Sequence, residues 1–140
     1  LVAIERQQSV WSCGRGCVLL SEAGTEMQPA QMPNARPRSR DFADLAWFEG
    51  KLFTLERNAY RICRRDVDTG EVERCWSFAA DALVEHRRYD QPFGVAEALV
   101  IDAKGAWVGL DNNEAARADG EARPIVWRFA APQGGWSAKP

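Results

Sequence analysis

"LFTLERN" at residues 52–58 decides how the rest of the chain is read, because "LVAIERQ" at residues 1–7 and "WVGLDNN" at residues 107–113 look like it. Each is a short apolar run closed by an acid, then a basic or amide residue, then an amide. Their starts lie 51 and 55 residues apart. Such regular self-similarity marks a repeat array or a propeller.

The flanking sequence enlarges the repeat. "DFADLAWFEGK" precedes the second copy and "GVAEALVIDAKGA" precedes the third. Each couples two apolar runs through a turn, Glu49-Gly50 in one case and Asp102-Ala103-Lys104-Gly105 in the other, the pattern of a β-hairpin. After the second copy, "AYRICRRDVDTGEVERCWSF" alternates on both sides of Asp68-Thr69-Gly70 and predicts another hairpin. One unit is therefore four strands, A over 42–49, B over 51–57, C over 59–67 and D over 71–78. The first unit, 1–20, begins in strand B and continues through "QSVWSC" and "CVLLSE". A connection over 21–40 follows, then the second unit (41–78), a loop (79–94) and the third unit (95–132), with A over 95–102, B over 106–111, C in "PIVWRFAA" and strand D doubtful.

The expected fold class is all-β. Four antiparallel strands at this period form one blade of a β-propeller, and the chain holds about two and a half to three blades. One blade cannot cover its own two faces, so neighbours must, and a closed ring takes four to eight. Either a longer polypeptide supplies the remainder of the propeller or a second copy closes the ring; a piece of a longer propeller is the favoured expectation.

Composition excludes several classes. Eighteen Lys and Arg balance twenty Asp and Glu, so no nucleic-acid or membrane-surface partner is expected. No apolar run reaches the ~18 residues of a membrane-spanning helix. Six Trp and six Phe among short apolar runs with Gly and Pro punctuation favour strands.

The paired segments "ADLAWFEGKLFTLERN" and "AEALVIDAKGAWVGLDNN" resemble the C-terminal half of the β-propeller family named for the esterase-like activity of phytase, the phytase-like family. Asp44-Leu45 and Leu55-Glu56-Arg57 match one family segment, and Glu97 with Asp111-Asn112-Asn113 match the other. The likeness covers about residues 41–130, with Ala98 standing where the family usually has Gly. It implies a phosphoester or carboxylester hydrolase acting on a small anionic or ester substrate, assisted by Ca²⁺ at the mouth of the central channel.

Strand pairing through the turns is expected to set Asp44 opposite Glu56 and Glu97 opposite Asp111. Facing carboxylates repel, so a positive group is required, either Arg57 and its equivalent Arg6 or a cation. Asp44, Glu56, Glu97, Asp111 and Asn112 are therefore candidate metal ligands, since Ca²⁺ takes six to eight oxygens. Acids that merely cap turns and pair with arginines, holding the repeats in register, are the plainer alternative. His86, the only histidine, lies in "ALVEHRRYDQPFG" with Arg87, Arg88 and Tyr89. Folded over the mouth, His86 would be a general base, with Arg57 and Arg87 binding the anion; an exposed surface His is the ordinary alternative. Arg36, Arg38 and Arg40 in the first connection are weaker candidates for the same anion. Cys63 and Cys75 are expected to face each other across strands C and D, as are Cys13 and Cys17 across their hairpin. Disulfides there would suit a periplasmic or secreted setting; buried thiols are the alternative. Two functions thus stand, a metal-assisted hydrolase and a non-catalytic ligand-binding or scaffold propeller whose acids are structural.

Overall fold

The computed structural model describes residues 9–13, 17–22, 27–28, 38–39 and 41–138. Glu5, Arg6, Arg36 and Arg40 lie outside the described residues. The first strands, β1 (Ser9–Cys13) and β2 (Cys17–Glu22), form a hairpin in which Cys13 stands opposite Cys17. The expected connection over 21–40 carries the end of β2 and a short ladder of β3 (Met27–Gln28) with β4 (Arg38–Ser39).

Residues 42–77 form one four-stranded antiparallel sheet in chain order: β5 (Phe42–Phe48), β6 (Lys51–Glu56), β7 (Arg61–Arg65) and β8 (Val72–Ser77). After the short helix α1 (Ala79–Ala82) come β9 (Ala96–Asp102), β10 (Gly105–Leu110) and β11 (Val126–Ala130), a three-stranded antiparallel sheet with β10 in the middle. The protein is thus mostly β, with two larger sheets and little helix. No fourth strand follows β11 among the described residues.

The turns have local causes. Glu49 and Gly50 both take positive φ, 48° and 72°, the geometry a two-residue hairpin needs to match strand twist. In the β7–β8 turn the Asp66 carboxylate accepts hydrogen bonds from the Thr69 and Asp68 amides at 2.8 and 3.0 Å. Those bonds, led by the Thr69 amide, hold the Asp66 carboxyl below its ordinary pKa. Cys63 and Cys75 face each other and are joined by a disulfide.

Pairing differs from the expected register in both sheets. Because each A–B loop has only two residues, Phe48 pairs with Lys51 and Asp102 with Gly105, one residue off the expected alignment. A one-residue slip exchanges the faces of a strand. The edge strands β5 and β9 then each carry a bulge, at Ala43 and at Glu97. Asp44 consequently stands opposite Leu55 and Glu56 opposite Phe42, while Glu97 has no direct partner on β10 and Asp111 lies beyond it.

Alternation along β6 sorts its side chains. Phe53 and Leu55 enter the main core, whereas Leu52 packs with Phe42 and Val67 on the other face. Across the core, Leu99, Ile101, Ala106, Val108 and Leu110 present the facing surface of the second sheet, and β5 lies alongside β9. The chain end closes one side of this space. Trp136, 3% exposed, packs edge-on to Phe53 and Trp76 at 5.8 and 5.1 Å between ring centres. It donates its indole N–H to the Asp102 carbonyl at 2.9 Å, and Arg64 reaches the Trp136 carbonyl at 2.6 Å.

Candidate functional site

The A-start, B-end side of the sheets is where the acids were expected to gather, and the structure separates them. Asp44 points toward the second sheet and accepts hydrogen bonds from the amides of Leu45 at 2.8 Å and Leu99 at 2.7 Å. It stitches β5 to β9. Glu56 points to the opposite face of the first sheet, fully buried. There Arg65 donates to one carboxylate oxygen at 2.8 Å and Arg61 to the other at 2.7 Å. Arg65 also donates to the Thr54 hydroxyl at 3.2 Å and the Gly70 carbonyl at 2.9 Å, with its guanidinium over the Phe42 ring. A buried charge is tolerable when its lone pairs and protons are used in this way.

Glu97 does meet Arg57. The Arg57 guanidinium bonds Asp41 through Nε at 2.5 Å and Glu97 through Nη1. The B–C turn of one sheet is thereby latched to the bulge of the next. The backbone repeats the connection: the Arg57 amide donates to the Asp41 carbonyl at 3.1 Å, and the Gly94 amide donates to the Asn58 side-chain oxygen at 3.0 Å. Gly94 is obligatory here, since a Cβ would lie 2.0 Å from the Arg57 carbonyl oxygen.

Asp111 and Asn112 organise their own loop. The Asp111 side chain is exposed and accepts from the Asn113 amide at 3.0 Å. Asn112, 3% exposed, spends its amide group on the carbonyls of Ala115 at 2.7 Å and Ala122 at 2.9 Å. Among the described residues no three His, Cys, Asp or Glu side chains converge as a metal site would require. Asp44, Glu56, Glu97 and Asp111 each engage different partners.

His86 is exposed on the turn in which the Arg87 and Arg88 amides donate to the Val84 carbonyl at 2.9 and 3.0 Å. It reaches none of the acids. Arg87 instead joins Arg88 on the wall of a cleft between the two sheets, about 360 Å³ with its open mouth included. Tyr60, Phe78, Phe93 and Trp127 supply aromatic surface there. Arg38 is exposed, its guanidinium 5.1 Å from the centre of the Phe93 ring.

Tyr60 and Trp127 carried no signal that sequence reasoning could use. Tyr60 occupies the left-handed position, φ 51°, that ends the 3-10 turn Arg57–Ala59, and Trp127 reads as one more strand aromatic. Pairs stretching from Tyr60 through Phe78 to Trp127 and Phe129, with ring centres 5.7 to 6.2 Å apart, align the wall. Only the packing of the two sheets brings them together. No described helix is long and apolar enough to cross a membrane, which says nothing of membrane strands. Comparison of the chain with family models, curated proteins and solved structures finds no match.

Proposed function

We propose that this chain is part of a phytase-like β-propeller that works as a non-catalytic ligand-binding or scaffold module, its acids serving as structural ties. The observation that carries this reading is the engagement of three repeat acids, Asp44, Glu56 and Glu97, within and between the sheets. Asp44 holds two backbone amides, Glu56 two arginines, and Glu97 the Arg57 latch. A carboxylate committed to a buried arginine pair is a poor ligand for a cation, which would have to displace the guanidinium.

Support for neighbouring blades comes from the outer face of the second sheet. Val100 stands opposite Trp107 there, 59% and 41% exposed, with the Arg128 guanidinium over the Trp107 ring, and Val126, 62% exposed, lies one pair further along opposite Gly109. On the first sheet, Trp47 at the end of β5 is likewise 62% exposed. Apolar sheet surface of this kind suits burial under a further sheet. The Cys63–Cys75 disulfide fits an oxidising, periplasmic or secreted compartment.

The competing hydrolase reading is separable by calorimetric Ca²⁺ titration alongside turnover of a generic phosphomonoester and a generic carboxylester. The structural role predicts no saturable Ca²⁺ binding and no Ca²⁺-dependent turnover. Turnover that needs Ca²⁺ and disappears in Glu97→Gln and Asp111→Asn would overturn it. Sedimentation of the 140-residue chain reads the ring requirement directly: a strictly monomeric species that resists aggregation at high concentration argues against uncovered blade faces.

A further inference from the structure

We infer that the cleft between the two sheets binds a small ligand with a flat apolar body and an anionic head, of the aromatic-carboxylate class. This rests on the ligand-binding reading above and names the place and the chemistry. The body has its surface in Phe78, Trp127 and the Tyr60 ring, closed on the outside by Phe93. The head has its partners in Tyr60 and Arg88, with Arg87 at the rim.

Three features separate this cleft from ordinary core packing. First, Tyr60 is 7% exposed and lines the cleft, and among the described residues its hydroxyl has no protein hydrogen-bond partner, which leaves it to whatever occupies the cleft. Its neighbour Tyr89, similarly buried, differs: that hydroxyl donates to the Arg123 carbonyl at 2.6 Å. Second, the guanidinium groups of Arg87 and Arg88 form neither an ion pair nor a ring contact among the described residues, whereas Arg57, Arg61, Arg64, Arg65, Arg117 and Arg123 hold carboxylates and Arg38, Arg74 and Arg128 lie over aromatic rings. Third, no carboxylate lines the cleft.

The wall therefore offers donors without an acceptor. Burial keeps the Tyr60 phenol above its ordinary pKa, with Arg88 pulling the other way, so near neutrality the phenol is a protonated donor lying within the field of a cation. A carboxylate fits both: guanidinium and phenol donors serve one oxygen each, and charge assistance makes such bonds the stronger kind. An aromatic body fits the rest, since stacked and edge-on rings favour a further ring. The enclosed part of the cleft holds little more than one water-sized volume. Ligand entry accordingly requires the Arg87, Arg88 and Phe93 side chains to turn outward, with the backbone at Gly94 staying docked on Arg57 and Asn58.

The test is a ¹H–¹⁵N NMR titration of the 140-residue chain, following the Trp127 indole, with phenylacetate, benzyl alcohol and acetate as probes. Phenylacetate should bind saturably, and benzyl alcohol and acetate at least about tenfold more weakly, because each lacks one half of the recognition. Tyr60→Phe and Arg88→Gln should each weaken phenylacetate by about tenfold or more, the worth of a hydrogen bond to a charged group. Thermal unfolding of both variants confirms that they fold. Absence of saturable binding up to about 10 mM, beyond the millimolar class, overturns the inference, as does phenylacetate binding that both folded variants retain in full. The Ca²⁺ titration stays independent: Ca²⁺-dependent turnover would sink the structural role of the acids and leave the dependence on Tyr60 and Arg88 standing, whereas a silent cleft sinks only the ligand assignment.

Discussion

Glu56→Gln is the substitution that separates a structural acid from a ligand acid. Glu56 is fully buried, and Arg65, whose side chain is 4% exposed, shares its carboxylate with Arg61. The amide keeps the shape and removes the charge, leaving Arg65 buried without a counter-ion. Breaking a buried pair from one side costs about 3–5 kcal/mol. Arg61 is 29% exposed and can turn toward water, so the lower half of that range applies, about 3–4 kcal/mol. In urea, with a slope of about 2 kcal/mol per molar, the unfolding midpoint should fall by about 1.5–2 M. Arg65→Met in the Glu56→Gln background should recover part of the loss, because removing the stranded charge removes the penalty. A midpoint shift below about 0.5 M, equivalent to about 1 kcal/mol, would refute the reasoning, and so would full rescue of the single variant by added Ca²⁺.

Gly94→Ala should cost more than about 2 kcal/mol in denaturant unfolding, since the added Cβ meets the Arg57 carbonyl oxygen at 2.0 Å and the obstacle is backbone rather than a flexible side chain; a neutral result would contradict the close approach of Gly94 to Arg57. Replacing Cys63 and Cys75 together by Ala opens a loop of sequence separation 12 and should lower stability by about 3 kcal/mol on the chain-entropy estimate, and guanidinium unfolding that matches the parent chain contradicts it. The Glu121 carboxyl is pulled from 4.5 to about 2, first by the Arg123 side chain and then by its backbone amide. A value depressed in the folded state means stabilisation present above the unfolded value of 4.5 and lost as pH falls toward about 2; carboxyl ¹³C titration should show Glu121 still ionised at pH 3.5, and a midpoint near 4.5 would remove the Arg123 contact from consideration.

The strands were legible because period-two alternation and turn residues say where a half-buried strand begins and stops. Cys63 opposite Cys75 was legible too, since their placement about the Asp68-Thr69-Gly70 turn survives small errors in strand length. The acid pairs were not. Their expected facing depended on strand parity, and the parity turned on whether the Glu49-Gly50 and Ala103-Lys104 loops hold two residues or three. A difference of one residue leaves every strand in place and moves Asp44 and Glu56 to opposite faces of the sheet. Bulges at Ala43 and Glu97 add a second displacement, for which apolar patterning carries no mark. Arginines sit on two of the four acids: Glu56 takes Arg61 and Arg65 from its own sheet and Glu97 takes Arg57, which also holds Asp41, whereas Asp44 and Asp111 accept from backbone amides.

The recurring bulge explains how one repeated signature serves two ends. Ala43 and Glu97 hold the same station, one residue inside the start of an edge strand and next to the end of its partner. A bulge re-aims the side chain it carries. On the second sheet that side chain is a carboxylate, and it meets Arg57 of the preceding unit; on the first sheet it is a methyl group that packs against the core. The residue after strand B diverges in parallel. In the register that matches Ala43 with Glu97, Arg57 matches Asp111: Arg57 crosses to the next sheet, while Asp111 accepts from the Asn113 amide of its own loop. The shared pattern therefore encodes the turn, and side-chain length and charge at two stations decide whether that turn latches a neighbour or ties down a loop. A reader of the sequence sees both as an acid followed by a polar pair.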